Sequence, residues 1–268
     1  MKIHCKHRAF TLVEILVTVG VVGVLSAVTV AAVGKVKESA YKAGDVTAAR
    51  QLVSAYLMYP QEHKGQLLPS NPDPEDRQKV IIYDHNGNPV SRGVDYDRYV
   101  FRLLPYVDGI DAFYPGRSQV LLDAIRDDPY DVALFPSFGL NVEFMGGDYD
   151  EYSPKYVGYD PNYKLTTLSK SINPSQQIVF ASSFQHSAEY EDVVDYVGLV
   201  NVDAPHKWSS SYNEEIPGNF GNVHLRYNQQ AIVANLDGSV ELLGEEELRD
   251  MRRWSNVAQD RGNANYKP

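Results

Sequence analysis

The sequence predicts an α+β protein: one long N-terminal helix, packed along its second half on a head with an antiparallel β-sheet. Three observations predict it. Residues 15–34 form a run of twenty uncharged, valine-rich residues, the length of helix that spans a bilayer core of about 30 Å. Val36, Ala40, Ala43, Val46, Ala49, Val53, Tyr56 and Leu57 then recur at helical steps, continuing the same helix with one apolar stripe. Near the other end, Ala231–Leu236 and Ser239–Leu243 flank Asp237-Gly238, a strong signal for a two-residue type I′ hairpin.

Taken in order, the chain opens with a short basic leader, residues 1–9, holding Lys2, Lys6 and Arg8 and no acid. The helix follows, with residues 10–34 as its transmembrane half and 35–59 as its amphipathic half. Lys37, Glu38, Lys42, Asp45 and Arg50 fall between the stripe positions and read as its polar face. No proline occurs between Phe10 and Tyr59, so nothing kinks the helix, and Pro60 marks its end. Residues 60–268 make the head. It begins with an exposed connection over 60–79, then a strand at Val80–Tyr83 and a tight turn at Asp84–Pro89. Short helical pieces are expected over 98–106 and 117–127, and buried strands at Phe135–Asn141 and Ile178–Ala181. A terminal helix follows Gly244, acidic at its start (Glu245, Glu246, Glu247) and basic toward its end (Arg249, Arg252, Arg253), as the helix dipole favours. A polar, loose tail is expected from Ser255.

Composition narrows the function. A formal net charge of −10 and a pI near 5.1 argue against nucleic acid as a partner, because phosphate binding needs a positive surface. The lone cysteine, Cys5, excludes a disulfide framework and a thiolate cluster within one chain. The seven histidines are scattered without metal-ligand spacing, and no phosphate-binding loop or nucleophile elbow occurs. The sequence therefore reads as a non-enzyme. One loop, holding Asp148, Asp150, Glu151 and Asp160 beside Gly146 and Gly147, offers oxygen ligands for calcium; an ordinary acidic loop is the competing account.

The residue at odds with a plain membrane anchor is Glu14. An acid near an apolar span costs free energy and marks function. Arg8-Ala9-Phe10-Thr11-Leu12-Val13-Glu14 resembles the prepilin signal of type IV pilins and of the pseudopilins of type II secretion: a basic leader, a small residue, Phe-Thr-Leu-x-Glu, then a long apolar helix. The resemblance implies a pilin-like fold, cleavage by prepilin peptidase between Ala9 and Phe10, and N-methylation of Phe10. It implies that Glu14 pairs with the terminal amine of a neighbouring subunit during assembly. It also implies, as partners, sister subunits and an inner-membrane assembly platform. Cleavage removes three positive charges and the only cysteine. Ala9 stands where most relatives have Gly, and Ala31 where many have Pro. The competing account is a secretory signal peptide cut after Val30-Ala31-Ala32, but its apolar core runs about 7–15 residues and has no place for Glu14.

Spacing alone adds a stripe of small residues, Gly20, Gly23, Ala27, Ala31 and Gly34, suited to close packing of helices in lipid. The C-terminal half resembles a group of pilin-like proteins with a His, nine residues, then Asp-Gly; here Tyr227 takes the His place. The basic leader places the N-terminus in the cytoplasm and the head outside, in the periplasm or on an extracellular filament. The function implied is a structural subunit of a type IV pilus or a secretion pseudopilus. The alternatives are a minor or priming subunit, or a binding module displayed on such a filament; a membrane-tethered enzyme is a distant third.

Overall fold

The computed structural model describes residues 11–69, 87–89, 98–146 and 163–268. It falls into two compact units, Met1–Lys42 and Ala43–Pro268. In the first, the described chain is the beginning of helix α1, Leu12–Glu62. Every side chain described between Thr11 and Ala40 is exposed. A helix satisfies its backbone internally, so a run of apolar side chains with no protein cover is suited to lipid. It is long and apolar enough to cross a membrane.

In the second unit α1 turns amphipathic. Ala48, Ala49, Leu52, Val53, Ala55 and Tyr56 are buried, while Thr47, Gln51, Ser54 and Met58 are exposed. The helix runs past Tyr59 to Glu62 and holds Pro60 in its last turn, where the missing N–H breaks a single bond. It ends at Lys64 (φ 55°) and Gly65 (φ 82°), where the Gly65 N–H donates to Pro60 O at 2.7 Å. The connection expected to be exposed is partly core: Leu67 and Leu68 are buried. The strand foreseen at Val80–Tyr83 and most of the turn after it lie outside the described residues.

Short helices follow: α2 (Tyr99–Leu103), α3 (Gln119–Ile125) and α4 (Pro129–Leu134), with 3-10 turns between them. The Asp128 side chain caps α4 by accepting from the backbone of Tyr130 and Asp131. The sheet has five strands: β1 (Phe138–Asn141), β2 (Ile178–Ser182), β3 (Asn201–Val202), β4 (Gln230–Asn235) and β5 (Val240–Gly244). Their order is β3-β1-β2-β4-β5, all antiparallel except β1 with β3. β1 starts at Phe138 rather than Phe135, because the Ser137 N–H is taken by Phe113 O.

Both sheet faces are covered, and the sequence alternates accordingly. Ile232 and Ala234 pack with α1 and α2–α4, whereas Ala231 and Val233 pack with Val202, Phe220, Leu243 and Trp254. A register shift between Ile178 and Phe180 puts the consecutive Val179 and Phe180 on the α1 side.

The β4–β5 connection differs from the expected two-residue turn. The Asn235 N–H donates to Ser239 O and the Gly238 N–H to Asn235 O, and of Asp237 and Gly238 only Gly238 has positive φ (90°). This is a three-residue loop with glycine at its left-handed position. The two-residue turn with both central residues at positive φ lies at the other end of β4, at Asn228 (φ 51°) and Gln229 (φ 59°). Tyr227 and Gln230 exchange backbone hydrogen bonds across it.

The C-terminal segment is neither one helix nor loose. α5 covers only Glu245–Leu248, and the extended Asp250 then caps a 3-10 turn at Met251–Arg253 through its side chain. Ser255 caps a further helix, α6 (Asn256–Asp260). Trp254 is fully buried. Its indole N–H donates to Leu248 O at 2.8 Å, and its carbonyl accepts from Gln177 Nε2 at 2.6 Å and Asn141 Nδ2 at 3.0 Å. Ala258 and Tyr266 are buried as well, so the tail closes the second face of the sheet.

Candidate functional site

The first candidate site is the start of α1. Thr11 precedes the helix, and the Glu14 N–H donates to its hydroxyl at 3.3 Å. In return, Glu14 Oε2 accepts from the Thr11 backbone N–H at 2.8 Å and from its hydroxyl at 2.9 Å. This is a capping box: two donors left open at the helix start are satisfied reciprocally. Thr18 donates its hydroxyl to Glu14 O one turn on. The Thr11-x-x-Glu14 spacing before an apolar run carries this signal in sequence, and the reading of Glu14 as an assembly group passed over it. The two roles are compatible. Both Thr11 bonds fall on Oε2, and among the described residues Oε1 has no partner. The cap fixes the carboxylate at the helix start and leaves one oxygen for an outside donor.

Gly20, Gly23, Ala27, Ala31 and Gly34 all lie within α1, where steps of three and four residues bring them to one side. A Cβ built on Gly20, Gly23 or Gly34 meets nothing within 4 Å. Ala9 and Phe10 lie outside the described residues, as do Asp148, Asp150, Glu151 and Asp160. Among the described residues no three His, Cys, Asp or Glu side chains converge as a metal site.

The second site lies in the head and was missed in sequence. Asp45, taken there for part of a polar face, is 2% exposed. Its Oδ2 accepts from Arg226 Nη1 at 3.1 Å and from the Tyr227 hydroxyl at 2.9 Å. Arg226 Nη2 donates to Ser137 O at 2.9 Å and Ser183 O at 3.0 Å. One guanidinium thereby ties α1 to the ends of β1 and β2. Burial pushes the Asp45 carboxyl up, and Arg226 and Tyr227 hold it back by stabilising the charge. Burial beside Asp45 also raises the Tyr227 phenol.

His224 lies against this group. It stacks on Phe184 at 4.2 Å between ring centroids and meets Tyr196 edge-on at 4.4 Å. Burial, with the charges of Arg226 and Arg117, pushes it down to about 2, so the ring is neutral. Asp237 does not meet Tyr227; its Oδ1 accepts from Ser239 N at 2.8 Å within the β4–β5 loop. Nine-residue spacing alone gives no hint of Asp45, which lies some 180 residues upstream of its partners.

The prokaryotic N-terminal methylation motif matches residues 5–30. No curated protein and no solved structure matches the chain. The match spans the start of α1 and places Glu14 and the first small residues of the stripe within the motif. The chain thus carries a prepilin-type signal of the type IV pilin and pseudopilin kind. That signal and the single apolar helix fit anchoring in the inner membrane. They suggest a structural subunit of pilus or pseudopilus type, which implies processing by a peptidase and assembly with other pilin subunits.

Proposed function

We propose that this chain is a pilin-like structural subunit of a type IV pilus or a type II secretion pseudopilus. Prepilin peptidase trims it between Ala9 and Phe10 and methylates the new Phe10 amine. α1 anchors it in the inner membrane, oriented before trimming by the leader's Lys2, Lys6 and Arg8 on the cytoplasmic side, with the head outside. The carrying observation is the methylation motif over residues 5–30 at the head of a helix whose first half has no protein cover among the described side chains.

In this reading the exposed helix is the assembly surface. Gly20, Gly23, Ala27, Ala31 and Gly34 permit close approach of neighbouring helices. Glu14, held by Thr11 through Oε2, accepts the Phe10 amine of a neighbour through Oε1, which offsets the cost of a carboxylate in an apolar setting. Mass spectrometry of the mature protein tests processing: the expected N-terminus is a methylated Phe10, and a start at Val33 or at Met1 rejects it. Glu14→Gln tests assembly, because Gln retains an acceptor for the Thr11 N–H while losing the charge. Membrane insertion stays intact and incorporation into sheared filaments collapses; normal incorporation removes the role from Glu14.

The size of the head, residues 60–268, favours a second reading: a minor or priming subunit, or a binding module displayed on the filament. Scarcity in sheared filaments, at normal cellular levels, would select it.

A further inference from the structure

We draw no further inference here: the strongest candidate, the outer edge of the sheet along β5, where no second strand pairs with Val240–Gly244 among the described residues, has its one charged side chain, Glu241, already paired with Arg253, and nothing in the structure shows what covers it.

Discussion

Removing the Asp45 carboxylate should be the most damaging single change in the head outside its apolar core. In Asp45→Ala, Arg226 keeps its two carbonyl acceptors at 2.9 and 3.0 Å but loses its counter-ion. Its side chain is 8% exposed, so water cannot replace the carboxylate. Breaking a buried pair in this way costs about 3–5 kcal/mol. The Tyr227 hydroxyl loses its acceptor as well, a loss of about 1–3 kcal/mol on its own. The two losses share one oxygen and do not add in full, which sets the expectation near the upper end of about 3–5 kcal/mol. For a unit of this size each kcal/mol lowers Tm by about 2–4 °C, so the midpoint should fall by roughly 10–20 °C.

The assay is thermal unfolding of the full-length protein in detergent, followed by tryptophan fluorescence. Both tryptophans, Trp208 and Trp254, belong to the head, so the signal reports its core. Asp45→Asn retains an acceptor for Tyr227 and should lie between Asp45→Ala and wild type. Asp45→Ala combined with Arg226→Met removes both charges and should recover much of the loss. If Asp45→Ala melts within about 2 °C of wild type, or if the double variant is no better than the single one, the pair does not hold α1 to the sheet.

Two further outcomes follow from the same unit. His224 has a folded pKa far below its unfolded value of about 6.5, so its contribution is fully present above pH 6.5 and is lost as pH falls toward about 2. Between pH 6.5 and 5, above most carboxylate titrations, the slope approaches about 1.4 kcal/mol per pH unit. His224→Phe, which keeps the stacking on Phe184, should flatten that slope in pH-dependent melts. An unchanged slope would assign it elsewhere. Deleting residues 251–268 should abolish the fluorescence transition of Trp208 and leave the head protease-sensitive, because it strips Trp254, Ala258 and Tyr266 from one sheet face; a truncated head resisting protease like wild type would show that the tail is dispensable.

The elements legible in the sequence were those marked by a local apolar pattern or a turn signal, β1 and β2 included although their partners lie about 40 residues apart. The apolar run and the stripe at steps of three and four gave α1, and the Asp237-Gly238 turn signal between two apolar segments gave β4 and β5. The capping box was equally local, since Thr11 and Glu14 sit three residues apart, but the apolar run behind them drew the whole reading of Glu14 toward assembly. Asp45 was illegible for the opposite reason. Between Lys42 and Arg50 it looks like one more charge on a solvated helix face, and only the fold brings Arg226 to it. The C-terminal tail misled in the same way: its polar residues Asn256 and Gln259 look solvated until the backbones of Ile172 and Asn173 donate to them.

The Tyr227-to-Gly238 spacing shows what such a pattern encodes physically. Tyr227 closes the two-residue turn before β4, and Asp237-Gly238 lies in the loop after it, so nine intervening residues amount to one strand plus its two reversals. With that length fixed, the residue at position 227 is delivered beside α1 at the level of Asp45, in register with Arg226 reaching the ends of β1 and β2. What this place requires is a flat side chain long enough to reach the helix with a donor at its tip. Tyr meets it with an O–H; a His at this position would offer a ring N–H. Asp237 and Gly238 need no ligand to account for them: one side chain accepts from Ser239, and the glycine takes the left-handed position of the loop. Tyr227→His should therefore keep most of the head's stability, whereas Tyr227→Phe, which preserves the ring but leaves Asp45 short of a donor, should cost about 1–3 kcal/mol in the same melts. If Tyr227→Phe proves neutral, the spacing sets strand length alone and position 227 does not latch the helix.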